Sequence, residues 1–220
     1  MPKLSKKPNH QELIQIQAGK VSLHGYLTIP AQATKIVLFA HGSGSGRNSR
    51  RNQYVASVLQ EGGLATLLMD LLTEEEEAVD EITREHRFNI PLLAQRLADA
   101  TDFLKLYDDT KSLAVAYFGA STGAAAALIA AAEKGSLIKS VVSRGGRPDL
   151  AAPILHKVVS PTLLIVGGDD FGVIELNQEA FEMISAEKRL EIVPHATHLF
   201  EEPGTLEEVA RLARQWIVRH

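Results

Sequence analysis

Reactive residue types in this chain gather at four places: Ser121 inside Gly119-Ala120-Ser121-Thr122-Gly123, the neighbouring carboxylates Asp169 and Asp170, the histidines His195 and His198, and the loop His41-Gly42-Ser43-Gly44-Ser45-Gly46. A serine hydroxyl is a weak nucleophile until a neutral imidazole within hydrogen-bonding reach takes its proton. The imidazole needs a carboxylate on its other nitrogen, which fixes its tautomer and stabilises the imidazolium that forms. Serine, aspartate and histidine follow one another here in an order that acyl-transfer sites use. One aspartate and one histidine are surplus, and residue chemistry alone does not choose between them.

Such a set works only if the chain brings it together. Leu113–Phe118 is a short apolar run of the kind that forms a strand buried on both faces. After the pentapeptide, the alanine-rich run Ala124–Lys134 favours helix strongly and strand poorly. G-x-S-x-G therefore sits where strand turns into helix, a turn so tight that the neighbours of the nucleophile must be small. The plainer alternative is a glycine-flanked turn whose serine or threonine caps the helix. In the nucleophile reading, the backbone N–H of Thr122, at the positive end of the helix, faces charge developing on a bound carbonyl oxygen.

The glycine-rich loop at 41–46 follows another apolar run, Ile36–Ala40, and precedes a helix expected over Tyr54–Glu61. A phosphate cradle is one alternative, but G-x-x-x-x-G-K-[ST] is absent and position 47, where a third dinucleotide-binding glycine would fall, is arginine. The other reading is an oxyanion loop that presents the backbone N–H of Ser43. His41 then orders the loop by hydrogen bonding rather than acting as the base.

The remaining pattern supplies the frame. Glu12–Ala18 and Val21–Ile29 alternate loosely and read as an antiparallel hairpin at one edge of a sheet. Buried strands are expected at Leu64–Met69, Ile138–Val142, Pro161–Val166 and Arg189–Val193, and helices at Asn89–Tyr107, Val173–Ser185 and Thr205–Val218. The acidic segment Thr73–Arg87 reads as a solvated excursion with helical tendency that could overhang the site. The expectation is an α/β fold, a mostly parallel twisted sheet with an N-terminal antiparallel hairpin and helices on both faces. All the reactive clusters then lie on one rim, at the carboxyl ends of the strands.

With 220 residues and 45% hydrophobic content, residues 1–220 are expected to form one domain, with residues 1–11 as a flexible arm. A mixed net charge of -4 implies no nucleic-acid partner. The absence of cysteine rules out disulfides, a thiol nucleophile and cysteine-ligated metals, and neither a cofactor nor a metal is expected. No secretory signal and no membrane-length apolar run is seen, so a cytoplasmic location and no membrane partner are expected.

The segments FAHGSGSGRNSRRN, MDLLTEEEE, YFGASTGAAAAL, VSRGGRPDL, LLIVGGDDFGVIELN and VPHATHLFEEPG resemble the dienelactone hydrolase-like branch of the α/β-hydrolase superfamily, from about Ile14 to the C-terminus. The resemblance implies the α/β-hydrolase fold and a triad of Ser121, Asp170 and His198, with Asp169 and His195 as bystanders. Dienelactone hydrolase itself uses a cysteine, whereas this chain has serine at the matching position, which favours ordinary esters, thioesters or lactones over the dienelactone. The function expected is a serine hydrolase of small carboxylic esters or lactones acting through an acyl-enzyme. An acyltransferase with the same triad, or a hydrolase fold kept as an interaction module, are the alternatives. Arg87, Arg144 and Arg147 are candidates to pair with a substrate carboxylate, because guanidinium binds it as a bidentate fork. The plain alternative for each is a structural or solvated role. Related chains also occur beside or fused to phosphoribosyltransferase-like domains, which implies such a partner by resemblance only.

Overall fold

Apolar runs too short for stable helices become central strands covered on both faces, and segments that mix polar and apolar residues supply the hairpin and the outer strand. In chain order these are β1 (Gln11–Ala18), β2 (Val21–Thr28), β3 (Lys35–Ala40), β4 (Ala65–Met69), β5 (Ala114–Ala120), β6 (Ile138–Arg144), β7 (Thr162–Gly167) and β8 (Lys188–Val193). The helices are α1 (Arg50–Glu61), α2 (Glu74–Thr83), α3 (Ile90–Leu106), α4 (Thr122–Lys134), α5 (Phe171–Met183) and α6 (Thr205–Arg219). This is a computed structural model, and it describes residues 10–220.

All eight strands join one sheet in the order β1-β2-β4-β3-β5-β6-β7-β8. β1 pairs antiparallel with β2, and β2 antiparallel with β4; from β4 through β8 every pairing is parallel. Period-two alternation splits the core into two layers. Ile36, Leu38, Val115 and Tyr117 face the layer covered by α3, α4 and α5, whereas Val37, Phe39, Ala116 and Phe118 face the layer covered by α1 and α6. Phe39 and Phe118 meet with ring centroids 4.9 Å apart, and burial of each contributes roughly 1.5–3 kcal/mol. On the other face, fully buried Ala124, Ala125, Ala126 and Ala127 let α4 lie close to the sheet.

Three details differ from expectation, and the segment 148–157 carried none. The helix read as Tyr54–Glu61 begins at Arg50, because the Ser49 side chain caps it by accepting the Asn52 N–H at 3.4 Å. β6 runs through Arg144, so Ser143 and Arg144 are strand residues rather than part of the following loop. Pro148–Lys157 forms 3₁₀ turns, where Pro148 and Pro153 interrupt any regular α-helical pattern. Of the arm expected over 1–11, residues 1–9 lie outside the described residues, and Gln11 already pairs with Thr28 in the hairpin. The acidic run does form a helix. Thr73 and Glu76 make a reciprocal capping box, and four glutamates in the first turn complement the positive end of α2. Among the described residues no helix is long and apolar enough to cross a membrane.

Candidate active site

Ser121 stands between β5 and α4 with φ 51° and ψ −121°, a left-handed region that non-glycine residues occupy at a cost of roughly 1–3 kcal/mol. Packing holds it there. A Cβ at Gly123 would lie 2.2 Å from the carbonyl oxygen of Ala40, and one at Gly119 would lie 2.4 Å from Cα of Ala124, so the turn closes this tightly only with glycine at both ends. The Ser121 backbone is anchored on both sides: its N–H donates to the Arg144 carbonyl at 3.2 Å, and its carbonyl accepts from the N–H groups of Ala124 and Arg147 at 3.1 Å each. Its side chain makes no capping bond to α4, which removes the plain helix-cap reading and leaves the hydroxyl available.

Asp170 follows β7 and His198 follows β8. His198 Nδ1 and Asp170 Oδ2 are 2.7 Å apart, with the carboxylate mostly buried and the imidazole about one-third exposed. The loops carrying them touch because Gly167 lacks a side chain; a Cβ there would lie 2.3 Å from the carbonyl oxygen of Ala196. Asp169 and His195 are both exposed, and neither enters this pair. Thr197 fixes the histidine loop by donating its N–H and hydroxyl to Glu202 at 3.0 and 2.7 Å.

Ser121 and His198 line one cavity of about 210 Å³ together with Gly42, Ser43, Ser45, Ser49, Arg51, Asn52, Ala120, Arg144 and Leu199. The loop on its far side is pinned twice to the segment after β4. The Leu71 N–H donates to His41 Nε2 at 3.1 Å, so the proton of this imidazole is on Nδ1, which donates to the Gly42 carbonyl at 2.9 Å. Burial pushes the His41 pKa down, with the Gly42 hydrogen bond and the charge of Asp70 opposing, and the ring stays neutral. Both nitrogens being committed, His41 holds the loop rather than exchanging protons. The second pin is Asp70, which accepts the Arg47 N–H at 2.7 Å and pairs with its guanidinium.

At the centre of the loop, Ser43 Oγ and Thr122 Oγ1 are 3.0 Å apart. Among the described residues neither backbone N–H of this pair has a hydrogen-bond partner. A bound oxyanion beside Ser121 is the kind of acceptor such a pair of free donors can serve.

The three candidate arginines separate. Arg147 forks onto its neighbour Asp149 at 2.9 and 2.8 Å and does not line the Ser121 cavity. Arg87 binds buried Asp80 through Nε at 2.5 Å, through its own N–H at 2.9 Å and through Nη2 to the Asp80 carbonyl at 3.0 Å; it lines the adjoining cavity on the other side of Ser43. Burial would raise the Asp80 pKa, but the donors from Arg87 and His86 outweigh it and lower the value. Arg144 is 7% exposed, lines the Ser121 cavity and, among the described residues, makes no ion pair. The first turn of α1, with Arg51 and Asn52, also faces this cavity and was missed in the sequence. The N-cap pattern of Ser49 was the signal that would have found it.

No protein-family model matches the chain. The chain is 56% identical to a dienelactone hydrolase from Anabaena variabilis of known crystal structure, over 97% of this chain and 99% of that one, with a TM-score of 0.96. Est1E from Butyrivibrio proteoclasticus is 16% identical with a TM-score of 0.79, over 94% and 98% of the two chains, and shares the fold. Two Mycobacterium tuberculosis proteins, carrying a provisional phosphoribosyl transferase name, are 57% identical over 213 residues, 97% of this chain and 47% of theirs. The chain thus spans about half the length of the curated relatives it matches. Identity above half, nearly full coverage and an eight-stranded sheet with a serine at the β5–α4 turn lead to one assignment: the chain belongs to the dienelactone hydrolase-like family of α/β-hydrolases.

Proposed function

We propose that this protein is a serine hydrolase of small carboxylic esters or lactones, with Ser121 as nucleophile, His198 as general base and then acid, and Asp170 as the carboxylate that orients it. Attack of Ser121 Oγ on the carbonyl carbon passes its proton to His198 Nε2 and forms a tetrahedral oxyanion, held by the N–H groups of Ser43 and Thr122. Collapse expels the alkoxide, which takes the proton from His198, and leaves an acyl-serine. Water activated by the same imidazole then releases the acid. The observation that carries this reading is the 2.7 Å His198–Asp170 contact beside a serine held at positive φ in one shared cavity. An acyltransferase would use the same groups with a different acceptor, and an interaction module would need none of them.

We assign the phosphoribosyl transferase name of the mycobacterial relatives to the half of those proteins that this chain does not match, since the matched half is 57% identical to this chain, which itself aligns with a dienelactone hydrolase over 97% of its length. A phosphoribosyltransferase-like partner or neighbouring domain follows as a proposal from the same relatives. Labelling with a fluorophosphonate probe followed by peptide mapping tests the function: modification of Ser121 is expected, and a protein left unlabelled, or labelled elsewhere, would refute it.

A further inference from the structure

Asn177 and Ala180 are the buried residues of α5, and Asn177 is 0% exposed. From Nδ2 its side-chain amide donates to two carbonyls, that of Val173 one turn back at 2.8 Å and that of Gly146 at 3.0 Å. The first contact stays within the helix. The second spans 31 residues of sequence to reach the loop after β6. Two acceptors on the same nitrogen fix the orientation of the amide, because a flip would set oxygen against oxygen.

That loop touches two members of the proposed triad. The Gly146 carbonyl and the Arg147 N–H are the two ends of one planar peptide group, and the Arg147 N–H donates to the Ser121 carbonyl at 3.1 Å. A rotation of this peptide that breaks the Asn177 bond therefore breaks the Ser121 bond as well. Ser121 depends on such anchors, since a φ of 51° persists only where the surrounding contacts over-determine it. One residue earlier, Gly145 packs against His198: a Cβ there would lie 3.1 Å from the His198 carbonyl oxygen and 3.5 Å from Nδ1. The third member is reached through α5 itself. Asp170 is the N-cap of this helix, and its carbonyl accepts the N–H groups of Val173 and Ile174 at 3.0 Å each. Asp170 and Asn177 thus stand about two turns apart on one rigid element.

We propose that Asn177 is a positioning residue for the reaction, tying the helix that begins at Asp170 to the loop that holds Ser121 and abuts His198. It touches no substrate. Its amide sets the Gly146–Arg147 peptide, and through that peptide the placement of the Ser121 hydroxyl relative to His198 Nε2. Gly146 is itself buried, so loss of the Asn177 donor leaves its carbonyl unpaired in the interior and the peptide turns towards another partner. A misplacement of about 1 Å between reacting groups costs on the order of 10²-fold in rate. This deepens the hydrolase reading and rests on it for the reaction being positioned.

Asn177→Leu keeps the branched shape and removes the donor. Well below its melting temperature, this variant should lose about ten-fold or more in kcat for p-nitrophenyl acetate with KM within about three-fold, and fluorophosphonate labelling of Ser121 should slow in step. Thr101→Val is the control. Thr101 is equally buried, and its hydroxyl meets the Leu97 carbonyl at 2.9 Å and the Tyr117 hydroxyl at 2.6 Å, but it lies on α3. Its loss should lower the melting temperature and leave kcat within about two-fold. If the leucine variant does not fold, Asn177→Ala decides, since alanine is small and favours helix. Normal kcat in a folded Asn177 variant, or a loss matched by Thr101→Val, would overturn the proposal while leaving the hydrolase reading intact. If the wild type neither turns over the ester nor takes the label, the hydrolase reading falls and proton NMR decides the rest. The downfield resonance of the His198 Nδ1–H bonded to Asp170, recognised by its loss in His198→Ala, should then shift in the Asn177 variant and stay in place in Thr101→Val. A resonance that does not move would remove the positioning role too.

Discussion

The Ser43 hydroxyl lies 3.0 Å from the Thr122 hydroxyl, which ties the loop after β3 to the first residue of α4. Two segments 79 residues apart in sequence are thereby joined beside Ser121, and in the proposed mechanism their N–H groups receive the oxyanion. The side chains hold the geometry and the backbone would do the chemistry. Ser43→Ala removes the tie and a long 3.5 Å contact to the Arg87 carbonyl, together roughly 1 kcal/mol, and should keep turnover of p-nitrophenyl acetate within about ten-fold. Ser43→Pro removes the N–H and should lose about 10²–10³ in kcat. The comparison is made on variants shown to be folded by circular dichroism, and a folded proline variant with near-normal turnover would place the oxyanion donor elsewhere.

Ser121→Ala should reduce hydrolysis of p-nitrophenyl acetate by a factor of about 10⁴ or more. Because the residue sits at φ 51°, Ser121→Gly should also raise the melting temperature, through relief of about 1 kcal/mol of backbone strain. Thermal denaturation and initial rates on the same preparations read both effects. A Ser121→Ala enzyme with a few per cent of wild-type turnover would remove Ser121 from the chemistry.

Contact separates the surplus acids and bases. His198→Ala and Asp170→Asn should each cost at least 10³ in kcat, since one removes the proton carrier and the other its tautomer control. His195→Ala and Asp169→Asn, at exposed positions outside the pair, should stay within about three-fold. Steady-state kinetics on the four variants checks this, and a reversal in either pair would move the role to the neighbour.

Asp80 is the one residue of α2 that is buried, and its partner Arg87 lines the cavity on the far side of Ser43. Asp80→Asn should destabilise the protein by about 2 kcal/mol, because a charged acceptor of several hydrogen bonds is lost while the guanidinium stays. Hydrogen exchange should rise first in α2 and the 84–89 segment. Uniform exchange across the protein would show that this pair is not a local clamp.

His41 makes stability depend on pH. Burial lowers its folded-state pKa below the ordinary 6.5, so the unfolded chain binds a proton that the folded protein refuses. Its contribution is fully present above pH 6.5 and is lost as pH falls from there towards the lowered folded value. Chemical denaturation between pH 7.5 and 5 should therefore show falling stability in the wild type and a shallower slope in His41→Asn. Parallel slopes would mean that the imidazole titrates alike in both states.

What could be read from residues alone was local. Strand runs such as Ile36–Ala40, the alanine-rich helix and the glycine-flanked Ser121 are encoded by neighbours within a few positions, and apolar periodicity or steric demand suffices to recognise them. Even the N-terminus of α1 was encoded locally, in Ser49, although the apolar pattern starting at Tyr54 drew the expected boundary one turn late. The resemblance singled out Asp170 and His198, whereas residue chemistry left Asp169 and His195 level with them. Tertiary structure puts the former two 2.7 Å apart, because the approach of two loops 28 residues apart depends on how closely Gly167 packs against Ala196. The three arginines were equivalent as letters. Arg147 pairs with Asp149 two residues on, a local contact, whereas only the fold buries Arg144 beside Ser121 with no carboxylate partner among the described residues, since that burial depends on which strands and loops become neighbours.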